Sequence, residues 1–328
     1  MAMKRFWVAA GVVAAALGVT AFVQNTSLLA PAATGRPVLA AHRGLAQTYP
    51  SSGVTDTTCT ASRINPPEHP YLENTIASME AAFAAGADIV EFDVHPTTDS
   101  QFAVIHDWTL DCRTNGTGVT REKTLAELKA LDIGFGYTAD GGKTYPFRGK
   151  GTGLMPSLDE VLARFPDRRL LINVKSNDPR EGEALAERLR KLPPAQLSLL
   201  MAYGGDRPIT VLRERIPTLR TMSKEAEKRC LIHHLALGWA GLTPKACERQ
   251  LLLIPSNYTS WIWGWPARFT DRMRDAGSEV IVAGPLVGGD GSAGIDRAEE
   301  FSALKRPIPG IWTSRIDRIA PLVQAERR

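Results

Sequence analysis

Short apolar runs rich in β-branched residues recur along this chain, and between them lie longer segments whose apolar residues fall at helical spacing. The first kind predicts strands at residues 38–41, 89–94, 102–105, 170–174, 197–203, 219–222, 251–254, 279–283 and 310–313. The second predicts helices at 75–85, 124–131, 158–164, 181–192 and 270–276. Ser157 before Leu158, with Glu160 close behind, reads as a helix start, and Gly86 and Gly277 read as stops. Strands alternating with helices argue for a parallel sheet joined by crossover helices. A chain of 328 residues suits one large α/β domain, and the expected fold is a (β/α)₈ TIM barrel. Nine candidate strands compete for its eight places, and the pattern does not mark the surplus one.

Three stretches interrupt the alternation. Residues 45–72 are rich in Ser, Thr and Pro, residues 134–154 carry seven glycines, and residues 224–265 hold two cysteines and four of the seven tryptophans. Long loops on a barrel often carry function. At the N-terminus Lys4 and Arg5 precede an uncharged apolar run, residues 6–23, which is the plan of a secretory signal. Ala30-Pro31-Ala32 offers a cleavage site. Residues 1–32 therefore read as a signal peptide or an N-terminal membrane anchor, and residues 37–328 as the barrel domain. The run is just long enough to cross a bilayer, but its many Ala and Gly residues favour the signal reading. Export to the periplasm or the medium is the expectation, with an inner-membrane anchor, and so membrane proximity, as the alternative.

An exported chain with an even set of cysteines points to disulfides. Cys59, Cys112, Cys230 and Cys247 allow three pairings. Cys230 with Cys247 would close a short loop, leaving Cys59 and Cys112 to join two others; no CxxC spacing suggests zinc. The formal charge of +4 is small and no block of like charge occurs, which argues against a nucleic-acid partner.

Candidate chemistry lies at the predicted strand ends: His42 and Arg43, then Glu91, Asp93 and His95, then His106 and Asp107, then Asn173 and Lys175. In a (β/α)₈ barrel these C-terminal ends form the active-site face. Glu91, Asp93 and His95 recur at period two and so share one face of their strand. Two inward carboxylates repel each other unless a cation lies between them, and oxygen ligands suit a hard divalent ion. His42 and His106 can supply an acid and a base for cleaving a phosphodiester. Arg43 and Lys175 add the positive charge a phosphate needs. His95 is not assigned the acid/base role, and His69, His233 and His234 read as surface or structural residues.

The segments AHRG (41–44), ENT (73–75), VEFDVHPTTD (90–99), VIHDWTLDCRTNGTG (104–118), MPSLDEVL (155–162), LLINVKS (170–176) and GIWTSRID (310–317) resemble those of the glycerophosphodiester phosphodiesterase family. That family belongs to the phospholipase C-like phosphodiesterase superfamily. The resemblance implies a metal-dependent hydrolysis of glycerophosphodiesters to glycerol 3-phosphate and an alcohol, with Ca²⁺ or Mg²⁺. It also implies that His42 and His106 are the acid/base pair, that Glu91 and Asp93 hold the metal, and that Arg43 and Lys175 meet the phosphate. Glu73 matches an active-site glutamate that orients Arg43 or contacts substrate. Attack by the neighbouring glycerol hydroxyl, through a cyclic phosphate, is one route open to such an enzyme.

The sequence departs from the family in two places. Asn173 stands where a metal-binding glutamate is usual, so its amide oxygen ligates without the charge. The segment 45–72 is longer than usual between the HRG and ENT motifs. Trp261, Trp263 and Trp265 alternate before Pro266 and, if extended, would share a face able to hold a quaternary ammonium; packing of the loop against the barrel rim is the plainer reading. Two rival functions stay open. One is a phospholipase D-like enzyme acting on lysophospholipids or sphingomyelin. The other is a non-catalytic periplasmic barrel that binds phosphodiesters, against which the intact histidine pair argues.

Overall fold

The computed structural model describes residues 2–30, 35–50, 53–55, 57–286 and 293–326. The cleavage motif Ala30-Pro31-Ala32 therefore lies largely outside the described residues. Nine strands are found among those described: β1 (Val38–Ala41), β2 (Ile89–Pro96), β3 (Phe102–Val104), β4 (Arg169–Val174), β5 (Leu200–Gly204), β6 (Arg220–Ser223), β7 (Leu251–Pro255), β8 (Glu279–Ala283) and β9 (Gly310–Thr313). Eight run parallel in the order β6-β5-β4-β2-β1-β9-β8-β7. A single bridge, Thr221 to Gln250, joins the two ends of this order, so the barrel is nearly closed.

The surplus strand is β3. β3 pairs antiparallel with β2, with Val94 opposite Val104 and Pro96 opposite Phe102. Only a short turn separates the two strands, and a parallel crossover needs a dozen residues or more, so a hairpin is the only arrangement open to them. β2 thus projects beyond the barrel and β3 carries the chain back toward it.

Alternation along the strands builds two apolar layers. Val90, Phe92 and Val94 of β2 join Leu170, Ile172 and Val174 of β4 in a core beneath the helices. Ile89, Leu171, Met201, Ile281 and Trp312 fill the barrel's interior. Glu91 and Asp93 therefore point inward, above Ile89. A separate cluster, including Ile64, Ile105, Leu110, Tyr137 and Phe147, packs the long loops over the β2–β3 hairpin. That packing is close: a side chain on Gly136 would place its Cβ 1.8 Å from the Cys112 carbonyl oxygen. Disulfides join Cys59 to Cys112 and Cys230 to Cys247.

The expected helices at 75–85, 124–131, 158–164, 181–192 and 270–276 appear as Ile76–Ala84, Leu125–Lys129, Leu158–Arg164, Pro179–Leu189 and Ala267–Asp275. Capping boxes at Thr75, Thr124 and Ser157 set three of their starts. The mixed stretch 224–265 opens with the helix Lys224–Leu237, capped by Ser223, where no helix is expected from the sequence.

Candidate active site

The site grows from the end of β1. The His42 amide donates to the Thr313 carbonyl at 2.8 Å, extending the ladder with β9 by one residue. The chain then turns through left-handed backbone at Arg43 (φ 59°) and Gly44 (φ 78°). A Cβ on Gly44 would sit 2.5 Å from the Ser78 Oγ, so glycine is required for the helix Ile76–Ala84 to approach. This turn brings the Arg43 amide to within 2.9 Å of Glu91 Oε2. The Arg43 guanidinium pairs with Glu73 at 2.7 Å and Asp93 at 3.3 Å.

The ENT segment locks the same two elements together. Asn74, also left-handed, donates to Asp93 Oδ2 at 2.9 Å and accepts from the Asp93 amide at 3.0 Å. Glu73 spans two arginines, Arg43 at 2.7 Å and Arg113 at 2.9 Å. Thr75 then caps the following helix. Each residue of the motif thus has a separate structural task.

His106 reaches the site by a route different from the one its position predicts. It does not stand at the C-terminal end of a barrel strand, because β3 runs the other way. The returning hairpin delivers it instead, with the Ile105 amide donating to the Asp93 carbonyl at 3.1 Å. Asp107 Oδ1 lies 2.7 Å from His106 Nδ1. A carboxylate only accepts, so Nδ1 carries the proton and Nε2 is left free. His42 Nδ1 lies 3.2 Å from Ser314 Oγ. Both histidines line one cavity of about 790 Å³, with Arg43, Asn173, Lys175 and Tyr203. His95 faces the same interior but is spent on structure, its Nε2 lying 3.2 Å from the His106 carbonyl.

Glu91 and Asp93 are fully buried, and their surroundings differ. Burial, reinforced by the charge of Asp93, pushes the Glu91 carboxyl up to about 8, although Tyr203 donates to it at 2.7 Å. Burial would raise Asp93 too, but the cations of Lys175 and Arg43 hold it well below the usual carboxylate range. Asn173 donates to Asp93 Oδ1 at 2.8 Å. Among the described residues no three acidic, imidazole or thiol groups converge as a metal site. The reason is local: Glu73 is drawn off by its two arginines, leaving two carboxylates and the Asn173 amide as the oxygen donors. Such a set suits a hard cation, and the proton that burial places on Glu91 marks where positive charge is wanted.

Sequence reasoning assigned no part to Arg113, which is buried at the centre of the loop packing. It pairs with Asp107 at 2.8 Å and Glu73 at 2.9 Å, and donates to Tyr137 Oη at 2.6 Å and Thr60 Oγ1 at 2.7 Å. Thr60 and Arg113 directly follow Cys59 and Cys112, so the disulfide and this hydrogen bond clamp the same two loops. No local pattern marks an arginine of this kind. Glu227 was missed as well: it lines the cavity and accepts from the Leu253 amide at 2.7 Å, filling the gap between β6 and β7. The tryptophan stretch is not extended, contrary to the condition set for a shared aromatic face. Trp261 ends a short 3₁₀ turn and is exposed, Trp263 is exposed, and Trp265 packs 5.8 Å from the Phe269 ring. None of the three lines the cavity.

Burial of neutral imidazoles makes stability fall on the acid side. Burial and Arg43 push His42 down to about 3, burial pushes His95 down to about 4, and burial and Arg43 lower His106 well below its ordinary 6.5. Below pH 6.5 the unfolded chain binds protons that the folded chain refuses, so each histidine removes about 1.4 kcal/mol of stability per pH unit. Glu91 and Glu227 offset part of this, since burial raises them to about 8 and 7 and they keep protons that the unfolded chain gives up above pH 4.5. The urea midpoint is expected to drop between pH 6.5 and 5. A midpoint that holds or rises would show that the rings take up protons within the fold.

Comparison with known proteins agrees with this architecture. The model of the glycerophosphoryl diester phosphodiesterase family matches residues 42–240, more than half of the chain. A glycerophosphodiester phosphodiesterase of Caldanaerobacter subterraneus is 41% identical over 103 residues, which are 31% of this chain and 39% of the relative. The matches to the curated relatives at the head of the comparison thus span about two fifths of their length. Among solved structures, a glycerophosphodiester phosphodiesterase from Agrobacterium tumefaciens has a TM-score of 0.53 and 24% identity, covering 88% of this chain and 99% of that one. An Oleispira antarctica phosphodiesterase, solved with the product sn-glycerol-3-phosphate, has a TM-score of 0.55 and 18% identity, covering 88% and 97%. The structures share the barrel, and the family model begins at the histidine that opens the site and spans every motif up to Lys175. The chain belongs to the glycerophosphoryl diester phosphodiesterase family.

Proposed function

We propose that the protein hydrolyses glycerophosphodiesters to glycerol 3-phosphate and an alcohol, with His42 and His106 exchanging the protons. The observation that carries this reading is the pair of imidazoles on one cavity, each with Nδ1 engaged and Nε2 left free beside two cations. Arg43 and Lys175 bind the phosphate anion. One imidazole takes the proton of the attacking hydroxyl, which belongs to water or to the neighbouring glycerol carbon; in the second case water afterwards opens the cyclic phosphate to glycerol 3-phosphate. The phosphorus–oxygen bond to the alcohol breaks, and the other imidazole protonates the leaving oxygen. Both rings are neutral in the free protein, and the approaching anion favours protonation of one of them. Glu91, Asp93 and Asn173 would hold Ca²⁺ or Mg²⁺, which supplies charge to stabilise the phosphoryl oxygens.

The test is an assay on glycerophosphocholine after chelation, with each metal added back and products followed by phosphorus NMR. Glycerol 3-phosphate is expected. Release of phosphocholine would overturn the choice of bond. Binding without turnover would favour the non-catalytic barrel, and turnover confined to lysophospholipids or sphingomyelin would favour the phospholipase D-like enzyme. We also read residues 1–32 as an export segment that leaves the barrel outside the cytoplasm. The 24-residue helix Ala2–Asn25 and its apolar surface support this.

Asn173 carries a separate prediction. With Glu91 and Asp93 as the charged ligands a divalent ion is just neutralised, and the site yields its metal readily to a chelator. Asn173→Glu is expected to tighten cation binding by about 1–2 kcal/mol at a partly solvated dielectric, and to raise KM by repelling the phosphate. Titration of Ca²⁺ into chelated wild-type and variant protein measures this. Equal affinities would place Asn173 away from the metal.

A further inference from the structure

The helix Ala2–Asn25 contains an apolar span, Met3–Asn25, none of which is buried against the protein. Its C-terminal end is nevertheless fastened to the barrel. Asn25 Nδ2 donates to the Trp239 carbonyl at 2.9 Å, and Arg272 donates to Asn25 Oδ1 at 3.0 Å and to the Gln24 carbonyl at 2.5 Å. Arg268 reaches the Leu29 carbonyl at 2.5 Å. The span thus leaves the barrel with no slack, at the junction of the helices Lys224–Leu237 and Ala267–Asp275.

Large apolar side chains surround this junction. Among the described residues beyond Leu29, ten large apolar side chains are exposed, and eight of them fall between Ile232 and Leu286. Trp261 is 76% exposed, Leu242 54%, Leu235 48%, Leu237 43% and Trp263 41%. Trp263 adjoins the helix end that carries Leu235, because Trp263 Nε1 donates to the Leu235 carbonyl at 3.1 Å and His234 Nε2 lies 3.0 Å from the Trp263 carbonyl. Two segments distant in sequence therefore show their apolar groups together, beside an apolar helix long enough to cross a bilayer. Scattered exposed leucines need no explanation; a cluster at a helix exit does.

We propose that Leu235, Leu237, Leu242, Trp261 and Trp263 form a docking face that rests in the interfacial layer of the phospholipid bilayer crossed by the Ala2–Asn25 helix. Tryptophan prefers the headgroup level, where its ring meets apolar chains and its N–H stays polar. The fastened helix end keeps this face at the membrane surface, so docking is effectively intramolecular. Lys4 and Arg5 at the far end place the N-terminus in the cytoplasm and the barrel on the opposite side. Leu286, exposed and apolar at the rim of the cavity, accepts at its carbonyl from Asn257 of the loop after β7 at 3.1 Å. The docking itself holds whether or not the catalytic reading does, because it uses none of the cavity's ionisable residues.

The test uses the full chain and its Trp261→Ser/Trp263→Ser variant, both reconstituted in phosphatidylcholine–phosphatidylglycerol vesicles. The difference between their emission spectra isolates these two tryptophans from the other five. We expect brominated lipid to remove the greater part of that difference emission and acrylamide to leave most of it. Quenching by acrylamide with none by brominated lipid would place the face in water and overturn the proposal. Shielding from both would mean that protein covers it, which also overturns the proposal. Recovery of the protein from its own cells without residues 2–25 would remove the anchor and the proposal with it. Turnover of a soluble diester should match in the two proteins, which shows that the variant is folded and keeps this test separate from that of the chemistry.

Discussion

His42→Ala and His106→Ala are each expected to lower kcat by at least about 100-fold, the usual loss when a general acid or base is removed. The two rings come from different parts of the fold, one from the end of β1 and one from the β2–β3 hairpin, yet they line a single cavity. Each is held through Nδ1, by Ser314 and by Asp107, so the free nitrogen is the same in both. Loss of either should leave KM nearly unchanged, because Arg43 and Lys175 still bind the anion. The urea midpoint should move little, since burying a neutral imidazole with one hydrogen bond adds little to stability. Asp107→Asn should show a milder fall in kcat, because an amide can accept from Nδ1 but no longer enforces that tautomer. Steady-state kinetics on glycerophosphocholine checks all three. Near-normal kcat in either alanine variant would remove that histidine from the mechanism.

The second large effect is expected at Arg113, where Arg113→Met should cost about 3–5 kcal/mol of stability, as for other buried ion pairs broken on one side. Glu73 and Asp107 would both lose a close cation, and Tyr137 and Thr60 would lose a donor. Asp107 would then hold His106 less firmly, so kcat should fall as well while KM changes little. Arg113→Lys should recover only part of either, since one ammonium cannot serve four partners set at different angles. Urea unfolding and kinetics on both variants separate the two consequences. A stability loss below about 1 kcal/mol in Arg113→Met would show that the carboxylates are neutralised in some other way.

Much of this architecture is legible in local pattern. The strands fall within a few residues of their predicted ends because parallel strands buried on both faces are short continuous apolar runs. The period-two spacing of Glu91, Asp93 and His95 places all three on the inner face, where the structure has them. Three helices escape the pattern, two because a proline lies inside an amphipathic segment and one because its apolar residues form no stripe. Asp206–Arg215 contains Pro208 in its first turn, Ile316–Ala325 has Pro321 within it, and Lys224–Leu237 exposes apolar residues on more than one side. In that last helix the apolar residues are spread around the axis, so the contrast between an inner and an outer face is lost.

The sequence alone determined the barrel class, the strand positions and the chemical inventory, because these depend on alternation and spacing within about ten residues. Tertiary structure alone decided that β3 turns back to deliver His106, that Asn74 locks Asp93 from outside the strands, and that Arg113 joins Glu73 to Asp107. Each of these is a contact between segments far apart in the chain, brought together by the packing of irregular loops. Such contacts leave no period in the sequence, and their geometry is set only when the whole barrel closes.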